Sequence, residues 1–502
     1  MSAPGEIVHG RSLDRPVELE ADLVVVGTGA GGAMVAREAA RAGLRVVALE
    51  EGAHSTPRDF TQREDEMLPL LFQDAGARTT TDGAVTVLQG RGVGGSTVHN
   101  TNLCKRAPAE VLDGWNLPGW SARELAPHYE LVERELEVSR MGEADLNRNN
   151  ALLRRGVEKL GWKGGMLSHN RVGCVRSGFC ELGCAFDAKQ NALKVLVPEA
   201  VQAGAQVFSD CRGERILVEG GRAVGVTGHA LSADGRPGPK LTVRGAVCLS
   251  GSAVGSARLA LASGLPDPEN RVGRTLRLHP GAAVAGIFDE VVEGWWGIPQ
   301  SYECTEKLRF DAAAGDDRTW ILPAFAHPIG FASAMPGFGA SHMRRMRKYP
   351  HVAIFVAMLH DRSSGRVALK RGRLQISYTL TSEDQRALLS GMRACAELML
   401  AAGARQVMVP FAEPLELTRA SELDAIPRHG YRPLDPLLTA VHPMGTLPLG
   451  TVTDEQGRFR GVGRLWVADG SLFPTSLGGP PQLSIYAAAH KVAGHLIAEL
   501  RG

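Results

Sequence analysis

An apolar run, a glycine-rich turn and a helix-like segment follow one another near the start of the chain, and this order constrains the fold most. Residues 22–26 are apolar after the first position, and the turn GTGAGG occupies 27–32. Residues 33–42 favour a helix, and a second apolar run over 45–49 ends at Glu50. This is the pattern of a βαβ unit, whose buried strands pair in a parallel sheet covered by helices. We therefore predict an α/β fold with a Rossmann-like domain.

The same turn predicts a dinucleotide site. Gly27 permits the tight turn, Gly29 lets the backbone approach a pyrophosphate, and Gly32 lets helix and strand pack closely. The helix N-terminus offers free N–H groups and a partial positive charge to phosphates. Glu50 is placed to bind the ribose hydroxyls. The alternative is a structural glycine turn.

A second glycine-rich segment, GRGVGGSTVHN, occupies residues 90–100. Its glycines, Gly90, Gly92, Gly94 and Gly95, allow a loop to lie flat against a ligand. Two such loops suit a long cofactor that is held from two sides, which favours FAD over a nicotinamide that must come and go. A flexible surface loop is the alternative.

Composition and charge narrow the classes of function. With 502 residues, the chain is long enough for two or three structural units. A net charge of only +2 does not suggest a nucleic-acid partner. No run of about 18 apolar residues and no signal-peptide pattern is visible, so we predict no membrane span and a cytoplasmic location. Cys174, Cys180 and Cys184 fit a turned structural loop better than a zinc site, and we predict no metal.

Segments in a fixed order resemble the glucose–methanol–choline (GMC) oxidoreductase family: residues 90–100, 251–264, HPMGT at 442–446 and LWVADGSLFP at 465–474. The loop over 174–189 looks most like the cholesterol-oxidase and long-chain-alcohol-oxidase branches. The resemblance implies an FAD domain and a substrate domain with a mainly antiparallel sheet. The ranges expected are 1–110, 170–280 and 436–502 for FAD, 281–435 for substrate, and 53–88 and 111–169 as lid or connecting segments.

The resemblance also implies FAD contacts beyond the two glycine loops. The residues are His99, Asn100, Thr101, Leu103, Gly213, Asp469, Gly470, Pro480 and Pro481. The last helix, expected over 482–500, would point its positive N-terminus at the flavin. In choline-oxidising members that resemble this motif, a histidine at the place of His99 is bonded covalently to the flavin. Packing of His99 against the flavin ring is the alternative.

Alcohol oxidation removes a hydride from carbon and a proton from oxygen, so the protein must place a base near the hydroxyl group. Histidine suits this role because its unperturbed pKa lies near neutral pH. The resemblance assigns the base to His442. By contrast, His279, His327 and His360 lack such a context and are interpreted as structural.

The family's second catalytic residue, an Asn or a His, falls at Pro480 in this chain, and proline has no side-chain donor or acceptor. Either Gln482 substitutes, or His442 acts alone, or the reaction differs. A non-redox lyase, or other flavin chemistry on the same scaffold, therefore stays open as an alternative. A third hypothesis is an NAD-dependent enzyme that uses only the first glycine turn.

The substrate domain contains aromatic and methionine side chains that can line an apolar pocket or pack in the core: Trp295, Trp296, Phe325, Phe331, Met335 and Phe338. We expect an apolar small-molecule alcohol as substrate, with O2 or another compound as electron acceptor. The segment HMRRMRKY at 342–349 mixes basic and apolar residues. It is interpreted as a solvated face or a mobile lid, and peripheral contact with a membrane or an acidic partner is the alternative.

Overall fold

The computed structural model describes residues 5–311 and 313–502. Two large sheets dominate this part of the chain, and helices pack on both. Each sheet belongs to a separate hydrophobic core. The predicted mixed α/β fold is confirmed.

The first sheet contains the predicted βαβ unit. Its strands lie in the order Ile7–His9, Gln206–Ser209, Val46–Leu49, Val17–Val26, Pro237–Leu249, Arg222–Leu231 and Cys211–Glu219, with Leu465–Val467 beside the end of Pro237–Leu249. Neighbouring strands from Ile7–His9 to Pro237–Leu249 pair in parallel. An antiparallel ribbon is formed by Pro237–Leu249, Arg222–Leu231 and Cys211–Glu219. Leu23, Val24 and Val25 are fully buried, as expected for a strand covered on both faces.

Helices bring the glycine turn and the C-terminus together. Ala30–Arg41 packs against the last helix, Gln482–Arg501, and both contribute to the core of the first sheet. Small residues, mainly alanine and glycine, make up most of Ala30–Arg41 and permit this close packing. The other helices on this side are Ala109–Gly114, Ala122–Glu135, Val197–Gln202 and Ser252–Ser263.

The second sheet is mainly antiparallel. Its strands lie in the order Leu415–Leu417, Gln406–Val409, Gly281–Ile287, Val352–Leu359, Thr319–Pro323, Tyr302–Cys304 and Gly164–Met166, and Leu438–Ala440 joins Gly281–Ile287 to Val85–Val87. Helices Arg148–Leu160 and Ser382–Ala401 pack against it, and Thr381 caps the latter through the N–H of Asp384. The remaining helices are Glu64–Leu71, Pro328–Ala334, Gly339–Met346 and Ala425–His429.

The ranges 53–88 and 111–169 are more than lid or connecting segments. Val85–Val87 and Gly164–Met166 are strands of the second sheet, and Arg148–Leu160 contributes Leu152 and Leu153 to its core. The strands escaped prediction because three residues are too few to show an alternating pattern. Smaller sheets pair Arg366–Lys370 with Arg373–Ser377, and Ser168–Asn170 with Leu103–Cys104 and Val138–Arg140. None of the helices in residues 5–311 and 313–502 is long and apolar enough to cross a membrane.

Candidate active site

The two glycine loops are in direct contact. Gly27 has a φ of +99°, and a Cβ there would lie 2.3 Å from the carbonyl oxygen of Ser250, so the turn requires glycine. A Cβ on Gly32 would lie 1.8 Å from the carbonyl oxygen of Gly27. A Cβ on Gly95 would lie 2.8 Å from the Cα of Gly29. The loops thus form a cradle without side chains beside a helix N-terminus, which fits the pyrophosphate of a dinucleotide.

Glu50 ties the two loops together. One carboxylate oxygen accepts hydrogen bonds from the N–H and the hydroxyl of Thr28 at 3.1 and 2.9 Å, and the other accepts from the N–H groups of Gly52 and Gly92 at 3.0 and 3.2 Å. The N–H of Gly94 donates to the Thr28 hydroxyl at 3.3 Å. Burial raises the pKa of Glu50. A ribose hydroxyl would have to replace one of these donors, and this role of Glu50 stays a prediction.

The second loop ends at His99, which lies in a closed environment. The N–H of Gly90 closes the loop by donating to the Ser96 hydroxyl at 2.8 Å. The His99 ring centroid is 4.0 Å from that of Phe72, and its buried Nε2 has no partner among the described residues. Burial, and then the charge of Lys189, lower the pKa of His99 to about 3. A neutral imidazole with an unpaired nitrogen suits contact with a cofactor.

Lys189 anchors the second loop from inside the protein. Its side chain is fully buried, and the ammonium donates to the carbonyl oxygens of Val98 at 2.8 Å, Cys180 at 2.9 Å and Asn100. Burial lowers the pKa of Lys189 to about 8. Sequence reasoning missed this residue, because a lone lysine in a loop is typical of a solvent-exposed position.

The side-chain amide of Gln482 forms its shortest hydrogen bonds with residues 100–103, at the end of the second glycine loop. Its Oε1 accepts from Asn100 Nδ2 at 2.7 Å, and its Nε2 donates to the carbonyl oxygen of Leu103 at 2.9 Å. The structure therefore leaves neither end of the amide free for a substrate, and no hydrogen bond joins Gln482 to His442 in the described part of the chain. Thr101 lies in the same segment and donates to the side chain of Gln300.

The C-terminal segment reaches the site through Asp469 and Gly470. Asp469 is buried and accepts from the hydroxyl of Ser256 and from the N–H of Ser471, which caps the turn Gly470–Leu472. Burial raises the pKa of Asp469. The carbonyl oxygen of Gly470 accepts from the N–H of Gly445 at 3.0 Å, which joins this turn to the HPMGT segment.

The last helix begins at Gln482 with Pro481 in the N-cap position and without a side-chain cap. Its first N–H groups are therefore open to a negatively charged group. Pro480, one residue earlier, has neither N–H nor polar side-chain atoms. Gly213 lies in the strand Cys211–Glu219 beside the side chain of Val26, just before the Gly27 turn.

Three histidines lie close together at the ends of neighbouring strands in the second sheet. His279 precedes the strand Gly281–Ile287, which pairs antiparallel with Leu438–Ala440 on one side and Val352–Leu359 on the other. The start of a strand lies beside the ends of its antiparallel neighbours, so His442 and His360, which follow those strands, come next to His279. The rings of His279 and His442 have centroids 5.6 Å apart, and those of His279 and His360 are 6.2 Å apart.

A backbone N–H determines which nitrogen of His279 carries the proton. The N–H of Gly478 donates to His279 Nε2 at 2.7 Å, so a neutral His279 carries its proton on Nδ1. That N–H faces Nδ1 of His442 at 3.4 Å. His442 is partly buried, and its Nε2 has no partner among the described residues. Burial lowers the pKa of His442 to about 3, that of His360 to about 4 and that of His279 well below its usual value. The three rings are therefore neutral at pH 7.

Asp361 holds the backbone of His279 in place. His279 has a φ of +51°, and one carboxylate oxygen of Asp361 accepts its N–H at 3.2 Å. The other accepts the N–H of Leu278 at 3.2 Å and the hydroxyl of Tyr378. The sequence predicted a structural role for His279, and its contacts agree with that role while also placing it beside His442.

The aromatic residues predicted for a substrate pocket lie elsewhere. Phe331 and Met335 are buried in a cluster with Val352 and Met408. Phe331 and Trp295 also line a small cavity there, away from the histidine cluster. Phe310, which the sequence did not single out, lies with its ring centroid 5.1 Å from that of His360. Phe310 is thus an apolar neighbour of the histidine cluster.

Two models of one enzyme family match most of the chain. The GMC oxidoreductase models for the N-terminal and C-terminal regions match residues 69–281 and 361–489. The chain belongs to the GMC oxidoreductase family. It is therefore an FAD-dependent oxidoreductase, and the glycine cradle is the part of the fold that fits FAD. The nicotinamide alternative is wrong.

Relatives and solved structures agree with this assignment. An uncharacterized GMC-type oxidoreductase of Mycobacterium tuberculosis is 35% identical over 98% of this chain and 78% of its own length. A long-chain-alcohol oxidase of Arabidopsis thaliana is 27% identical over 95% of this chain and 68% of its own. Pyridoxine 4-oxidase from Mesorbium loti has the same fold, with a TM-score of 0.71 at 17% identity, covering 94% of this chain and 98% of that one.

The three cysteines of the loop over 174–189 lie around a small cavity. Cys174, Cys180 and Cys184 are free thiols that border one small cavity. Among residues 5–311 and 313–502, no group of three or more His, Cys, Asp or Glu side chains is arranged to hold a metal ion.

Proposed function

We propose that this GMC oxidoreductase oxidises the CH–OH group of an apolar alcohol to an aldehyde or ketone, with His442 as the base. The observation that carries the proposal is the position of His442 in the histidine cluster: its low pKa leaves the imidazole neutral at pH 7, and its Nε2 has no partner among residues 5–311 and 313–502. FAD, when bound, supplies the hydride acceptor. The protein has to position the alcohol, exclude water and handle the hydroxyl proton.

In this proposal His279 orients His442, and it does not take over the substrate contact that is missing at Pro480. His279 is bonded to Gly478 N–H, two residues before Pro480, and faces Nδ1 of His442. It thereby favours the His442 tautomer with the proton on Nε2, which binds the alcohol oxygen as a donor. Proton removal requires the other tautomer, with Nε2 unprotonated. In that tautomer the Nδ1–H groups of the two rings face each other at 3.4 Å, which costs about 1–3 kcal/mol, as for an unsatisfied buried donor.

An apolar substrate is supported by two observations. Phe310 lies beside His360 and directly against Gly478, where a Cβ would come within 2.2 Å of the Phe310 ring. Several relatives are named long-chain-alcohol oxidases, at 26–28% identity. The electron acceptor is O2 or another small molecule.

The experiment is an anaerobic titration of the yellow enzyme with alcohols of increasing chain length. Bleaching of the flavin that improves from short to long apolar alcohols supports the proposal. The alternative suggested by Pro480, a non-redox lyase or other flavin chemistry, predicts that no alcohol bleaches the flavin. Bleaching by short polar alcohols alone would remove the apolar substrate but keep the alcohol oxidation.

A further inference from the structure

We propose that residues 338–348, here called the basic surface, bind an anionic lipid surface. The inference does not depend on the proposed substrate or on the role of His442. The basic surface exposes large apolar side chains. Phe338 is 94% exposed immediately before the helix Gly339–Met346, and Met343 within the helix is 55% exposed. A single exposed apolar residue is ordinary, but two on one short segment, of which one is almost entirely in water, require an explanation.

The positive charge of the same segment explains why these apolar side chains are exposed. Residues 338–348 read FGASHMRRMRK and contain four basic and no acidic residues. Arg344 and Arg347 are exposed and form no ion pair within the described part of the chain. Arg345 contacts Glu416 at 3.5 Å, and Lys348 donates to Gln406 at 3.1 Å. Most of the positive charge is therefore free to meet negative charge from outside.

The basic surface is held on the protein by its inner side. Met346 and Tyr349 pack against the buried cluster that contains Phe331 and Met335. Tyr349 also stacks on Trp295 at 4.2 Å. The fold therefore does not use Phe338 or Met343 for its own core, and both side chains are presented outward from a supported helix.

Two further apolar side chains come from chain segments adjoining the basic surface. Ile329 in the preceding helix, Pro328–Ala334, is 48% exposed, and Trp296, next to Trp295 in the chain, is 55% exposed. Apolar and aromatic side chains among free cations match a bilayer interface, where apolar groups enter the acyl boundary and cations meet anionic headgroups. An acidic protein offers the charge but not a fluid apolar layer for an isolated phenylalanine.

The test is sedimentation of the FAD-loaded protein with vesicles of phosphatidylcholine alone or mixed with phosphatidylglycerol. We expect binding to the mixed vesicles, weakened by salt. Phe338→Ser together with Met343→Ser should reduce binding at least tenfold. Arg344→Glu together with Arg347→Glu should abolish the preference for phosphatidylglycerol. Leu437→Ser, at a site 59% exposed, and Arg373→Glu are matched controls that should bind like the wild type. Flavin absorbance and unfolding temperature report that each variant is folded.

Some results would overturn the inference. The inference is wrong if the protein binds neither kind of vesicle at low salt. It is also wrong if the basic-surface variants bind vesicles as well as the controls do. Capture by polyglutamate that is as strong as vesicle binding, and insensitive to Phe338→Ser, would identify an acidic protein partner instead of a lipid surface.

Discussion

His279 and His442 place their Nδ1 atoms 3.4 Å apart at one edge of the antiparallel sheet. Because Gly478 N–H occupies the other nitrogen of His279, only one proton arrangement lets both rings be neutral and hydrogen-bonded. His279 therefore influences which nitrogen of His442 is protonated, although it needs no contact with the substrate. This gives the chain a polar neighbour for His442 despite the proline at position 480.

Replacing His279 tests this positioning role. His279→Gln keeps an oxygen for Gly478 N–H and an amide that can donate toward His442, so flavin reduction should stay within about fivefold of the wild type. His279→Leu loses both hydrogen bonds and with them the orientation of the His442 ring, so we expect reduction about tenfold slower or more, although the unfavourable contact between the two Nδ1–H groups is removed as well. A changed pH profile of flavin reduction in the Leu variant would separate proton control from loss of structure. His327→Leu, at a buried histidine outside the cluster, is the control. Equal rates in the Leu and wild-type enzymes would remove His279 from the mechanism.

Gln482 is expected to act through structure. Gln482→Ala leaves Asn100 Nδ2 and the carbonyl oxygen of Leu103 without their partner. We expect the free energy of unfolding to fall by about 1–3 kcal/mol, as for an unsatisfied buried group. In the fraction that keeps FAD, flavin reduction should change less than tenfold. A large rate loss with normal stability would restore Gln482 as the partner of His442.

His99 is expected to contact FAD without a covalent bond. Its ring orientation is fixed by Phe72, and its unpaired Nε2 is neutral because of its low pKa. These features suit both packing and a bond, and we expect packing: acid precipitation should leave a yellow supernatant and a colourless pellet, and His99→Ala should weaken FAD retention. A yellow pellet that His99→Ala turns colourless would instead establish a bond from His99.

Burial of the histidine cluster predicts acid sensitivity. The folded-state pKa values of His442 and His360, about 3 and about 4, lie below the usual value of 6.5. The unfolded chain therefore binds more protons as the pH falls below about 6.5, and the free energy of unfolding decreases until the folded pKa values are reached. Urea unfolding at pH 7 and pH 5 measures this loss, which should be smaller in His442→Gln. Equal losses in both proteins would show that His442 does not contribute.

Local patterns in the sequence predicted much of the fold. The βαβ unit combines an apolar strand, a glycine turn and an acidic residue within one short stretch, so each feature is visible without knowledge of the rest. Thr381 is likewise a local signal, and it caps the helix Ser382–Ala401 as its residue type suggests. The strands Val85–Val87 and Gly164–Met166 gave no such signal, since each depends on partners far away in the chain.

The candidate site was less predictable for the same reason. HPMGT pointed to His442, but His279 comes to lie between His442 and His360 only through the pairing of three strands. The amide of Gln482 was open to two interpretations until Asn100 and Leu103 were found beside it. Lys189 does not belong to any sequence motif that we recognised. Its role as an anchor of the second loop is visible only from its burial and its hydrogen bonds to three carbonyl oxygens.

The central claim is that His442 takes the hydroxyl proton of an alcohol while FAD takes the hydride. The most direct measurement is the rate of anaerobic flavin reduction by a long-chain alcohol in the wild type and in His442→Ala, at matched FAD content. The account predicts rapid bleaching in the wild type and a rate about 10²–10⁴-fold lower in the variant, the usual contribution of a general base. Equal rates in the two proteins would contradict it.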